Sequence, residues 1–179
     1  MIKFITISLL FLKFSVSLAQ TQKESNINQN VYLSFKELDS TTVIHNFYTI
    51  DSISIKGKWD RLQDDGIKRH SILLKNNDTI VGFFPYPKAM INYITQKSSD
   101  RYFLDELLKT RHIDWQYMGV RHKIISSKPG FYTIYRMKKS ITLIGIKGKN
   151  TYIIDYLEPK KTAENSKTEY LINFFNEIK

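Results

Sequence analysis

The clearest indication of the fold lies in residues 120–157, which read VRHKIISSKPGFYTIYRMKKSITLIGIKGKNTYIIDYL. These residues contain four runs rich in β-branched and aromatic residues, the composition that favours β-strands. Short links with proline, glycine, serine or asparagine separate the runs, as is typical of turns. Because links this short join only antiparallel neighbours, the stretch predicts a meander. The predicted strands are 120–126, 131–138, 141–146 and 151–157.

Helical patterns lie on both sides of the meander. Before it, apolar residues at helical spacing predict a helix over 100–111, with a core face of Phe103, Leu104, Leu107 and Leu108. We expect Asp100 to cap its start. We also expect its last turn to carry cations that suit the negative end of the helix dipole, namely Lys109, Arg111 and His112.

A second helix is predicted at the end of the chain. Ser166 and Glu169 have the spacing of a capping box, which would open this helix. Its core face is expected to consist of Leu171, Phe174, Phe175 and Ile178.

The first half of the chain supplies further strands. Residues 47–56 predict a strand in which Ile53 and Ile55 face one way, and 71–75 with 79–84 predict a hairpin. Pro85 and Pro87 are expected to end the second hairpin strand. Residues 31–38 fit either a strand or a helix, and so do residues 88–96.

This order of elements predicts an α+β fold. We expect an antiparallel sheet of about five to seven strands, packed by a mid-chain helix and a C-terminal helix. A strand leading to Gly57-Lys58-Trp59, a hairpin, a helix, a meander and a final helix ending in LINFFNEIK together resemble the PsbP-like fold superfamily over about 47–179. The resemblance implies a sheet between helices, in a superfamily with many small exported or lumenal, non-enzymatic proteins. It assigns no binding residue here.

The N-terminus is typical of a signal peptide. Lys3 precedes an apolar run over 4–12, and Ser17 and Ala19 are small residues at the −3 and −1 positions of a cleavage site. The run is shorter than the roughly 20 residues of a membrane-spanning helix. We predict a signal peptide over 1–19, a flexible leader over 20–30 and a single α+β domain over 31–179. Cleavage between Ala19 and Gln20 would release the protein to the periplasm or the cell exterior, without a transmembrane segment.

Common catalytic and cofactor motifs are absent from the sequence. It lacks a Gly-x-Ser-x-Gly elbow, a glycine-rich phosphate loop, a His-Glu-x-x-His zinc motif and any cysteine. We therefore expect a non-enzymatic protein with no cofactor and no metal. The alternative is a small enzyme whose cleft would use Glu106, His112, Asp114 and His122.

Positive charge is concentrated in one segment. The chain carries a net charge of +10, and residues 109–149 hold ten basic residues against the single acid Asp114. The candidate residues for an anionic ligand are Arg111, Arg121, Lys123, Arg136, Lys138 and Lys147. Anionic lipid, anionic glycan or an acidic protein of the cell envelope would suit such a face. Export and the lack of a nucleic-acid-binding motif disfavour nucleic acid. A peripheral membrane-surface protein is the remaining alternative.

Three of the four histidines directly follow an arginine, in the pairs Arg69-His70, Arg111-His112 and Arg121-His122. Neighbours on a strand point to opposite faces, so one dipeptide does not form a shared site. A cluster that draws one member from each pair would bind an anion or respond to pH through its histidines.

Overall fold

The computed structural model describes residues 31–46, 52–62, 72–91, 93–94, 98–157 and 163–179. The predicted signal peptide, the leader, the start of the strand over 47–56 and the Arg69-His70 pair lie outside these residues.

The described residues form ten strands and two α-helices. The strands are β1 (Val31–Lys36), β2 (Thr41–Asn46), β3 (Ser52–Lys56), β4 (Asp60–Leu62), β5 (Ile72–Asn76), β6 (Thr79–Pro87), β7 (Lys123–Lys128), β8 (Tyr132–Arg136), β9 (Ser140–Lys147) and β10 (Asn150–Leu157). The helices are α1 (Asp100–Tyr117) and α2 (Glu164–Glu177). Short 3-10 turns follow β1 and β6, at Glu37–Asp39 and Lys88–Met90.

Seven of the strands form one antiparallel sheet in the order β4-β5-β6-β10-β9-β8-β7. The four strands of the meander are neighbours in chain order, and β5 and β6 form the expected hairpin around the turn at Asn77. The predicted α+β class and the meander are therefore confirmed.

A separate three-stranded sheet, in the order β1-β2-β3, was not predicted. It settles the ambiguity of residues 31–38 in favour of a strand. Ile53 and Ile55 of β3 are buried in the core shared with the main sheet. Backbone hydrogen bonds of 3.0 Å in both directions join Ser54 to Lys179 and attach the end of the chain to this small sheet.

The two helices pack on opposite faces of the seven-stranded sheet. The predicted core face of each helix is buried in a separate cluster, which confirms both patterns. On the α2 side, Phe174 packs edge to face against Trp59 and Phe83. On the α1 side, Phe103 and Leu104 are fully buried against strands β8 and β9.

Both predicted helix caps were wrong. Ser99 is the N-cap of α1, since its Oγ accepts a hydrogen bond from the backbone N–H of Tyr102 at 3.3 Å. Helix α2 begins two residues before Ser166, after Ala163, whose methyl side chain accepts no hydrogen bond. An acid in its first turn, Glu164, compensates by facing the positive end of the helix dipole.

The predicted end of α1 was also wrong. The helix continues for six residues beyond residue 111, because Trp115 extends its apolar face seven residues after Leu108. The cations predicted for the last turn therefore lie inside the helix.

Strand β6 does not stop at its prolines. The described part of β5 pairs with β6 from Asn76 back to Ile72, opposite Phe83, while β10 pairs with β6 as far as Pro87. Among the described residues, β10 alone pairs with this end of β6, so each proline lies where the strand has a single described neighbour and a missing backbone N–H costs little.

Neither of the helices that the structure describes has the length and apolar character needed to cross a bilayer.

Candidate functional site

A glycine turn ends α1 and brings the next segment back beside the helix. Gly119 has a φ of +66°, and its N–H donates to the carbonyl of Gln116 while Val120 N–H donates to that of Trp115. These two bonds form a Schellman motif. A Cβ at Gly119 would meet no atom within 4 Å, so the position favours glycine for its backbone angle and not for lack of space.

The turn places His122 against the last turns of α1, where four rings form an aromatic cluster: His112, Trp115, His122 and Tyr135. The two histidine rings stack with their centroids 5.0 Å apart. Trp115 lies 4.7 Å from His122 and 5.0 Å from Tyr135. Nε2 of His112 is 3.0 Å from the Tyr135 hydroxyl. The structure thus brings together the histidines of two Arg-His pairs.

Burial shifts the pKa of two members of this cluster, His112 and Tyr135. It lowers the pKa of His112, and a charge on the neighbouring His122 lowers it further. Burial also raises the pKa of Tyr135 to about 12. Tyr135 is therefore a neutral phenol at physiological pH, and it donates to or accepts from His112 according to the tautomer of the ring.

A cleft of about 840 Å³ opens beside the cluster, and we call it the basic cleft. It is lined by Gly119, Val120, Arg121, His122, Lys123, Arg136, Met137 and Lys138. Among the described residues that line it are four cations and no acid. The strand register explains part of this arrangement, because Lys123 lies directly opposite Arg136 and their side chains share a face of the sheet. The Nε of Arg136 also lies 3.7 Å from the carboxylate of Glu164.

Arg111 borders a second, smaller cleft of about 400 Å³ on the α1 side of the sheet. This cleft shares Val120, Met137 and Lys138 with the basic cleft, so the two adjoin. Burial raises the pKa of the Tyr86 hydroxyl, and the nearby Arg111 guanidinium opposes that effect.

Lys147 lies apart from these cations and interacts with the end of α2. Its ammonium donates to the carbonyls of Asn176 at 2.8 Å and of Ile178 at 2.6 Å, with a longer contact to that of Phe175. Burial lowers the pKa of Lys147. Because helix C-termini carry unpaired carbonyls and partial negative charge, Lys147 has a structural role in capping α2.

The four residues of the alternative enzyme cleft are not all in one place. His112 and His122 stack, but Glu106 pairs with Lys109 at 3.8 Å and Asp114 is exposed on the helix surface. Within the described part of the chain, no three histidine or carboxylate side chains are grouped to hold a metal ion.

Sequence reasoning missed Trp115 and Tyr135 as members of the cluster. Two signals pointed to them. Trp115 has helical spacing to Leu108, and Gly119 is a typical residue for a helix end, so together they indicate a longer helix. Tyr135 lies on the opposite side of β8 from Ile134, toward α1.

Comparisons with known proteins identify no family for this chain. No protein-family model matches the sequence, and no curated protein matches it. The chain is similar to the solution structure of cyanobacterial PsbP (CyanoP) from Synechocystis sp. PCC 6803, at 10% identity and a TM-score of 0.38, over 84% of this chain and 92% of that one. At such a TM-score the likeness carries no inference about ligand or activity.

Proposed function

We propose that the protein is an exported, non-enzymatic binding protein whose basic cleft holds an anionic component of the cell envelope. The observation that carries the proposal is the grouping of four cations around one concave surface: Arg121, Lys123, Arg136 and Lys138. Cations held together in this way raise the local concentration of anions.

The register of β7 and β8 supports a ligand with more than one negative charge. Like charges directly opposite one another on a sheet are unfavourable. Lys123 and Arg136 are such a pair, and the carboxylate of Glu164 lies 3.7 Å from the Nε of Arg136. An anion that bridges both cations would relieve this repulsion, and the planar guanidinium of Arg136 suits the oxygens of a phosphate, sulfate or carboxylate.

Export is supported by the N-terminal sequence, with Lys3, an apolar run and small residues before Gln20. Anionic ligands of an exported protein include lipid headgroups, acidic glycans and acidic proteins.

The test compares two double variants of equal charge change. Lys123→Glu with Lys138→Glu alters the basic cleft, whereas Lys36→Glu with Lys75→Glu alters two exposed lysines on β1 and β5. Dextran sulfate serves as a soluble anionic probe. We expect wild-type binding to weaken as salt rises, because salt screens exposed charges.

The cleft variant is expected to bind about tenfold or more weakly than wild type, and the control variant to bind nearly as wild type. Both should melt close to the wild-type temperature, because exposed charges contribute little to stability. Equal losses in the two variants would show a response to net charge alone, which contradicts a specific cleft.

A further inference from the structure

Exposed apolar side chains gather at the end of α1. Eleven large hydrophobic residues are exposed in the part of the chain that the structure describes. Five of them fall within residues 113–124: Ile113, Tyr117, Met118, Val120 and Ile124. Tyr117 is 94% exposed and Met118 is 62% exposed. We call Tyr117, Met118 and Val120 the tip.

The tip is continuous with the basic cleft. Val120 belongs to both, and the cleft residues Arg121 and Lys123 follow it along the chain. The same end of the molecule therefore presents an apolar projection and a group of cations next to one another.

The backbone N–H groups at the tip already have hydrogen-bond partners. The N–H groups of Met118, Gly119 and Val120 donate to carbonyls of the preceding helical turn, at 2.9, 3.1 and 2.8 Å. Buried backbone donors without partners are costly in an apolar medium, so a turn with internal bonds enters such a medium at lower cost than an open loop.

We propose that the tip inserts into the surface of an anionic lipid bilayer while the cations of the basic cleft contact the headgroups. This inference rests on the proposed function and names its ligand as lipid. Tyrosine is enriched at membrane–water interfaces because its ring is apolar and its hydroxyl is polar. An apolar element flanked by cations matches a surface that is apolar within and negatively charged at its headgroups.

A membrane fits these features better than an acidic protein. Acidic groups on a protein would satisfy the cations but would leave the tip without an apolar partner. A bilayer provides an apolar interior for the tip and negatively charged headgroups for the cations. The two lie close together, because interfacial elements are buried only roughly 5–10 Å deep.

The test uses vesicles of phosphatidylglycerol and phosphatidylcholine, with sedimentation as the readout. The tip variant is Tyr117→Ser with Met118→Ser. Its matched control, Tyr93→Ser with Met90→Ser, removes a tyrosine and a methionine that are 58% and 51% exposed. Lys88 N–H bonds to the carbonyl of Lys149, so the control residues lie near the β9–β10 turn, at the end of β9 far from the tip.

We expect the tip variant to bind vesicles about tenfold or more weakly, since each lost side chain removes apolar area from the bilayer. The control should bind vesicles as wild type does, and both variants should bind dextran sulfate as wild type does. Brominated lipids should quench wild-type fluorescence through Trp115, two residues from Tyr117, and should quench the tip variant less.

Three outcomes would overturn the inference. Wild-type vesicle binding by the tip variant would exclude insertion and leave the basic cleft intact. Wild-type binding to dextran sulfate without binding to vesicles would indicate an acidic polymer or protein as the partner. Binding to neither probe would refute the proposed function and the lipid inference with it.

Discussion

At the scale of single residues, the stacked pair of His112 and His122 makes the stability of the protein depend on pH. The pKa of His112 is lowered in the folded protein, chiefly by burial and then by His122. The unfolded chain therefore binds a proton at this site more readily than the folded one does. This contribution to stability is fully present above the unfolded pKa, near 6.5, and is lost as pH falls through the folded value.

A pH series of thermal melts tests this assignment. We expect the melting temperature of wild type to fall between pH 7.5 and pH 5, and to fall less steeply for His112→Gln, which does not titrate. The amide of glutamine can replace His112 as the hydrogen-bond partner of the Tyr135 hydroxyl, so the change mainly removes the titrating group. Parallel curves for the two proteins would assign the pH dependence to other groups.

At the scale of elements, Lys147 holds the end of α2 beside β9. Replacing it by methionine keeps the length of the side chain but removes hydrogen bonds to the last carbonyls of the helix. We expect a loss of about 1–3 kcal/mol in the free energy of unfolding, as for hydrogen bonds made by a charged group. Denaturant titration measures it.

Lys139→Met is the matched control, because Lys139 is exposed. This substitution should change the free energy of unfolding little. A Lys147→Met protein as stable as the control would show that the cap is dispensable.

Lys147 also shows what the sequence alone could not decide. Lys138 and Lys147 lie in the same basic segment, yet Lys147 donates hydrogen bonds to carbonyls at the end of α2, about 30 residues later in the chain. Such a contact depends on tertiary packing and leaves no local pattern. The register that sets Lys123 opposite Arg136 is equally non-local, and it depends on a bulge between Ile124 and Ser126.

Other elements were predictable because their signals are local. Turn residues and short links define the meander, and apolar spacing defines the core faces of both helices. The small β1-β2-β3 sheet was missed because residues 31–38 fit two periods at once, and only pairing with β2 decides between them.

At the scale of the whole molecule, the two ends of the main sheet have different characters. At the end where β9 begins, α1 ends in the tip and the basic cleft opens beside it. At the other end, Lys147 donates a hydrogen bond to a carbonyl at the end of α2, and Lys88 pairs with Asp100. The basic cleft and the tip therefore lie at the same end of the sheet, and in the proposed function this end faces the negatively charged surface.

Anion binding in the basic cleft can be followed residue by residue in a backbone amide NMR titration of the whole protein with sucrose octasulfate, a small probe with many negative charges. We predict saturable shifts for Arg121, Lys123 and Lys138, which line the basic cleft, and none for the exposed Lys36 and Lys75. Shifts spread over all of these lysines, or confined to Lys36 and Lys75, would contradict the assignment of the basic cleft as the anion-binding site.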